Sequence, residues 1–292
     1  MQLTQDELIL TRFEEALTQA ALSPSTIVNY LADLRAFLRW GQSKIRPGFS
    51  LAQVNQEHIR QYRSHLAKEL NRAASTVNRH LMALRKFYTF ATETGTMLED
   101  PTSGISLVMD NGQSPVRALS EAEIERLLHA AHNGSRAGLV RRDVAILQLL
   151  LHTGLRVSEI IDLKKDDIIF EDPGVVLQVC PAQDETHSRS IPLPGEVCKV
   201  LNEYLLVRPQ TASTNHVFLS QEGRPISKRT VQRVISDCAR AAGLSGISAQ
   251  AMRRTFAVKL FSTTDDLALV SKRLGHQNTA ITEQYLSLGE ND

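Results

Sequence analysis

No run of about 18 apolar residues occurs in this chain, the length that a membrane-spanning helix needs. Its first residues, MQLTQDELILTRFEE, lack the basic start and the long apolar stretch of a signal peptide. A cytoplasmic protein with no membrane partner is the expectation. Cysteine is scarce: Cys180, Cys198 and Cys238 lie far apart, match no metal-binding spacing and cannot all pair with one another. They read as reduced packing residues. No glycine-rich phosphate loop, zinc spacing or internal repeat is present, and strands do not alternate with helices as in a parallel nucleotide-binding sheet. Net charge is small as well. A value of +1 over 292 residues gives, as a sum, no support for a polyanionic partner, so the distribution must be read instead.

That distribution is uneven. Between His58 and Thr92 the chain carries Arg60, Arg63, Lys68, Arg72, Arg79, Arg85 and Lys86 against the single acid Glu69, a local net charge of +6. A second run, Arg224, Lys228, Arg229 and Arg233, meets no acid before Asp237. Either patch by itself reads as a solvated helix face. Two such patches in a nearly neutral chain point to a polyanion.

Length favours two domains, each able to bury its own core. The first hundred residues read as helices. Ser25 or Thr26 is placed to cap a run in which Ile27, Tyr30, Leu31, Leu34, Phe37 and Leu38 recur at helical spacing up to Gly41. A second helix begins near Asn55, and Ser75 is placed to cap a third whose apolar stripe is Val77, Leu81, Leu84, Phe87 and Tyr88. The expected division is a helical domain over 1–105, a linker rich in Gly, Ser, Asp and Pro over 106–117, and a second domain over 118–292. Ser120 and Glu123 form a capping box, and Arg142 to His152 is an apolar helix closed by Gly154. Asp172-Pro173-Gly174 between DDIIF and VVLQVC, followed by SRSIPL, predicts a three-stranded antiparallel meander. Helices resume from Glu196. The class is mainly α with a small antiparallel sheet, α+β.

Chemistry concentrates in the second half: Arg156 in HTGLRVSEIIDL, Arg253 and Arg254 in SAQAMRRTFA, His276 in RLGHQNT, and Tyr285 in ITEQYLSL. Each has a plain structural reading by itself. Arg156 pairs with Glu159 one turn on, His276 is a loop residue after a glycine, and Tyr285 is a half-buried aromatic. The two adjacent arginines on an apolar helix are harder to dismiss, because buried guanidinium needs a protein carboxylate or an anion brought by a ligand.

In this order, TGLR-x-x-E, then RRTFA, LGH and a Tyr nine residues beyond that His, the motifs resemble the tyrosine recombinase (phage integrase) family, especially its Xer-like members. STIVNYLADLRAFLRW and STVNRHLMALRKFYTFATETG are similar to that family's core-binding, SAM-like helical domain, and RALSEAEIERLL to the opening of its catalytic domain. The resemblance implies a site-specific recombinase acting in DNA integration, excision or resolution, without cofactor or metal. Arg156 and Arg253 would clamp the scissile phosphate with bidentate donors, and His276 would hydrogen-bond a phosphate oxygen. Tyr285 would attack phosphorus to give a 3'-phosphotyrosyl link. Glu159 would hold Arg156. Ser75, Thr76, Asn78, Arg79, Arg85, Lys86, Arg224, Lys228, Arg229, Arg233 and Arg254 would meet DNA. The implied partner is double-stranded DNA with an inverted-repeat site, bound as a homotetramer by a chain that is a monomer when free.

Two positions depart from the family pattern. Gln250 stands where the family usually has histidine; it can hydrogen-bond a phosphate oxygen but cannot shuttle a proton near neutral pH. The family's lysine between the second and third strands, its general acid, has no counterpart between Glu171 and Leu193. His187 is the candidate proton donor there, with Arg189 the other nearby cation. These departures keep open an alternative: a catalytically weakened or inactive DNA-binding accessory protein on the recombinase fold.

Overall fold

The computed structural model describes residues 4–109, 116–134, 137–171, 174–180, 188–209, 213–276 and 278–287. The chain divides into two units, Met1–Gln113 and Ser114–Asp292.

The first unit holds α1 (Gln5–Gln19), α2 (Pro24–Lys44), α3 (Gln56–Ser64) and α4 (Ala74–Glu93). Ile27, Leu31, Leu34 and Phe37 of α2 meet the stripe of Val77, Leu81, Leu84, Phe87 and Tyr88 on α4 in one core. Phe37, Trp40, Phe49 and Tyr62 interlock as an aromatic cluster within it, Phe37 and Tyr62 with ring centroids 4.9 Å apart. Truncating a ring as buried as Phe37 is expected to cost about 3–5 kcal/mol.

Two sequence expectations change here. The α2 cap is Ser23, not Ser25 or Thr26, because Pro24 takes the first helical position, where its missing N–H costs nothing. Ser75 does not cap α4 either: Ala73 occupies the cap position without a side-chain bond, and Ser75 is an exposed residue of the first turn. The end of the expected helical domain and the first residues of the expected linker are both tied to these helices. Ile105 is buried in the helical core, and Gln56, Arg63, Arg85 and Asn78 donate to the carbonyls of Ser103, Ser106, Ile105 and Val108.

The second unit is organised around α6 (Val140–Thr153), buried on almost every face from Val144 to Leu151 and packed against α5 (Glu121–His132), α8 (Gly195–Val207) and α10 (Ala249–Thr264). Ser120 and Glu123 cap α5 reciprocally. The short α7 (Val157–Asp162) leads into β1 (Ile168–Glu171), β2 (Gly174–Val179) and β3 (Arg189–Pro192), an antiparallel sheet in the order β1-β2-β3. Leu177 pairs with Ile168 on one side and Ile191 on the other, so a single buried row crosses the sheet into the core. Then come α9 (Lys228–Ala241), α11 (Leu267–Leu274) and α12 (Thr279–Ser287). The last two pack with α10 through a separate cluster of Ala257, Val270 and Leu274, against which Phe256, Leu260, Phe261, Tyr285 and Leu286 lie.

All three cysteines are free. Cys198 and Cys238 are half-buried, but Cys180 is exposed and is not the packing residue expected. No helix among the described residues is long and apolar enough to cross a membrane.

Candidate active site

Four local devices build the site. Gly154 ends α6 in the left-handed region (φ 63°), and a Cβ there would come within 2.5 Å of Phe256, so the turn that presents Arg156 requires glycine. Glu159 then closes a capping box at the head of α7, accepting the Arg156 backbone N–H at 2.7 Å. Ser248 caps α10 through the Ala251 N–H and starts the buried turn carrying Arg253. Gly275 ends α11 with φ 64°, turning the chain so that His276 follows directly.

These turns bring the predicted residues together. Arg253, 7 % exposed, donates to the Gly154 carbonyl and the Leu274 carbonyl, both at 2.5 Å. Arg156 reaches the same turn through longer contacts, 3.4 Å to Leu274 and 3.3 Å to Gly275, and its side chain is 44 % exposed. One guanidinium is therefore fixed and its neighbour is loosely held and open to an anion. Burial and the adjacent Arg156 pull Arg253 down to about 10, which leaves it charged at neutral pH.

Tyr285 on α12 lies within the electrostatic reach of this pair. Its hydroxyl donates to the backbone carbonyl of Gln250 at 3.1 Å, and the His276 ring stands edge-on to it, centroids 5.8 Å apart at 82°. Burial raises the phenol above its ordinary value, while Arg253, Arg254 and Arg156 pull the other way. His276 is lowered to about 4 by burial and by Arg253, Arg156 and Arg189, so its ring is neutral at physiological pH. Its Nδ1 lies 2.8 Å from the Thr282 hydroxyl, and Thr282 is fully buried. If the ring donated, the Thr282 proton would be buried without an acceptor among the described residues; with the hydroxyl donating, only lone pairs go unused. The favoured tautomer therefore carries its proton on Nε2.

Arg254, expected to meet DNA, is 2 % exposed. It donates to the Leu286 carbonyl at 2.8 Å and stacks 5.8 Å from the Tyr285 ring centroid, bracing the end of α12. Gln250 is exposed on the first turn of α10. His187 lies outside the described residues.

Arg189 has a part that its place in the sequence did not suggest. Rather than a free cation, it is 6 % exposed, forks onto both Glu159 oxygens at 2.8 and 2.9 Å, and donates through Nε to the Arg273 carbonyl at 2.8 Å. Burial raises the Glu159 carboxyl, but the Arg189 fork and charge, with the Arg156 N–H, hold it below its ordinary range. The signal was present in SRSIPL, where Arg189 and the buried Ile191 share one face of the strand.

The basic patches separate in character. Arg224, Lys228, Arg229 and Arg233 are all exposed, the last three on α9. On α4, Ser75 and Lys86 are exposed and Thr76 is half-buried. Asn78 is tied by two bonds to the Val108 backbone, at 2.9 and 2.8 Å. Arg85 donates to the Ile105 carbonyl. Arg79 pairs with the buried Asp33 at 2.5 Å, in a network where Tyr62 and His80 lie 3.2 Å apart.

Comparison with known proteins gives a consistent result. The Phage integrase family profile matches residues 117–291, and the profile of the phage integrase N-terminal SAM-like domain matches residues 10–95. Among curated proteins, tyrosine recombinase XerC of Staphylococcus saprophyticus is 34% identical over 90% of this chain and 86% of its own. The XerC of Roseiflexus castenholzii is 30% identical over 91% of this chain and 84% of its own. In fold the chain is similar to the XerH site-specific recombinase bound to palindromic difH substrate (TM-score 0.74, 19% identity, 96% of this chain and 82% of that one). It is also similar to a lambda integrase dimer bound to a core site (TM-score 0.73, 18% identity, 98% of this chain and 78% of that one).

Proposed function

This chain belongs to the phage integrase family of tyrosine recombinases, and from that membership we propose the following division of labour for site-specific DNA cleavage and rejoining. Arg253 and Arg156 hold the non-bridging oxygens of the scissile phosphate, the first as a fixed donor and the second as the open one. Charge that builds on those oxygens during attack is stabilised most where donors are already aimed and water is thinned. His276, neutral and carrying its proton on Nε2, donates a hydrogen bond rather than taking a proton. Tyr285 leaves its resting bond to the Gln250 carbonyl, gives up its phenolic proton to water and attacks phosphorus. The P–O bond to the 5'-oxygen breaks, and a 3'-phosphotyrosyl link and a free 5'-hydroxyl remain. Attack by a 5'-hydroxyl on that link reverses the step without ATP, since one ester replaces another.

The observation that carries this reading is the convergence of Arg156 and Arg253 on the Leu274–Gly275 turn, with His276 next in the chain and Tyr285 against its ring. We assign the exposed run Arg224, Lys228, Arg229 and Arg233 and the α4 residues Ser75, Thr76 and Lys86 to backbone contacts, which position without reading sequence. Asn78, Arg79 and Arg85 already hold protein partners, and the donors those bonds leave over are assigned to the same DNA face. Arg254 serves by bracing α12. Gln250 offers its amide to the phosphate, and His187 is the proposed donor to the 5'-oxygen. The working assembly is a homotetramer on an inverted-repeat site, formed by a chain that is monomeric when free, in the cytoplasm.

The alternative of an inactive DNA-binding accessory is not favoured, since binding DNA requires no tyrosine set against paired arginines. The test uses the full chain and DNA recovered with it, rebuilt as a nicked duplex that traps the cleaved end. A covalent adduct on denaturing gels is expected. Specific binding without adduct would return the accessory reading.

A further inference from the structure

The Glu159 carboxylate poses a problem for a phosphate clamp. It sits one turn from Arg156, it is 7 % exposed, and its Oε1 is 3.4 Å from the Arg156 guanidinium. A buried carboxylate with no other cation would close on that guanidinium and compete with any phosphate for it. What prevents this is on a different element. Arg189 of β3, whose side chain is 4 % exposed, takes Oε1 at 2.8 Å and Oε2 at 2.9 Å in a planar fork. Its Nε holds the Arg273 carbonyl at 2.8 Å. A Cβ at Gly275 would stand 2.9 Å from its Nη1, so the guanidinium also lies flat against the turn that collects Arg253 and Arg156.

We propose that Arg189 is a positioning residue for strand cleavage: by occupying both Glu159 oxygens it leaves that carboxylate able to orient the Arg156 backbone while keeping the Arg156 guanidinium free for the scissile phosphate. The inference rests on the recombinase reading above. The two are separable because Arg189 acts on anion binding at Arg156 whether or not a strand is cut.

Two measurements on the full chain test it. In single-turnover cleavage of the nicked duplex, R189Q is expected to slow adduct formation about 100-fold, the scale of losing one aimed donor, with DNA affinity changed little. Titration with inorganic phosphate is expected to show binding that is lost in R156A and weakened about tenfold in R189Q, as for one charge-assisted bond. The double variant E159Q/R189Q, which removes the released carboxylate and restores net charge, is expected to recover most of both losses. A positively charged R189K, without the planar fork, recovers only part. Unchanged cleavage and unchanged phosphate affinity in R189Q overturn the proposal. Should R189Q fail to fold, a folded E159Q/R189Q that still cleaves about 100-fold slowly also overturns it. A wild-type chain that binds phosphate but forms no adduct would sink the recombinase reading and leave the phosphate arm to decide Arg189. One that does neither would sink both.

Discussion

Replacing Thr282 by valine isolates the tautomer of His276. The substitution keeps the shape of a fully buried side chain and removes the hydroxyl that sits 2.8 Å from Nδ1. The imidazole is part-buried, so water can reach it, and the cost to stability is set near the ordinary net value of a hydrogen bond, about 1 kcal/mol, rather than a full desolvation penalty. For a unit of this size that is a fall in Tm of about 2–4 °C. The same 1 kcal/mol changes the ratio of Nε2–H to Nδ1–H rings by about fivefold. A ratio falling from about five to about one takes the donating fraction from about 0.8 to about 0.5, so cleavage should slow a little under twofold. Removing the donor itself, as in H276A, should cost about 100- to 1000-fold. Two assays read this: the nitrogen-15 shifts of His276, which separate the tautomers, and single-turnover adduct formation. T282S, which keeps the hydroxyl, should match wild type in both. A T282V protein with an unmoved tautomer and a large loss of rate would refute the reasoning, because the hydroxyl would then act by another route.

Q250H restores the residue type that the family usually places there; a gain in cleavage of about tenfold or more is expected in a rate assay, within the range of general acid–base catalysis. A loss would mean the site is built around glutamine. R79A leaves the 4 % exposed Asp33 carboxylate without its arginine. Because Arg79 is nearly half exposed, the loss is placed at about 1–3 kcal/mol, below that of a fully buried pair, and urea unfolding of the full chain measures it. pH has a worked sign. The folded-state value of His276 is about 4, below its unfolded value of about 6.5, so the unfolded chain binds more protons between them. His276 therefore adds stability that is complete above about pH 6.5 and is lost as pH falls toward 4. Denaturation midpoints across that range should shift less in H276N. Cleavage should show no inflection from His276 between about pH 6 and 8, since the ring stays neutral.

Much of this was legible because it is local. Gly154 before Arg156, Ser120 with Glu123, and the apolar stripes of α2 and α4 are short-range patterns whose physics acts within a few turns. The meander could be read from alternation on either side of Asp172-Pro173-Gly174. The four residues of the site came from motif order and not from geometry, since Arg156 and His276 are far apart in sequence and meet only through the Leu274–Gly275 turn. What was missed is long-range pairing. Asp33 sits among the apolar residues of α2, and a carboxylate there demands a partner; that partner is Arg79, which the basic stripe had suggested for DNA. Glu159 was paired with Arg156 because they are neighbours, whereas its strong bonds go to Arg189, thirty positions away on β3. Ile105, the last residue of the expected helical domain, is buried in its core, and the bonds that carry the helical unit on to Ser106 and Val108 come from Arg63 and Asn78, long-range pairs that composition does not reveal.

Tyr285 is proposed as the nucleophile of a cleavage made possible by Arg156 and Arg253. The most direct test is mass spectrometry of the trapped adduct after proteolysis. A nucleotide phosphate joined to the peptide that contains Tyr285 is expected, absent in Y285F and strongly reduced in R253A. A nucleotide joined to any other residue, or an adduct that persists in Y285F, would contradict that role.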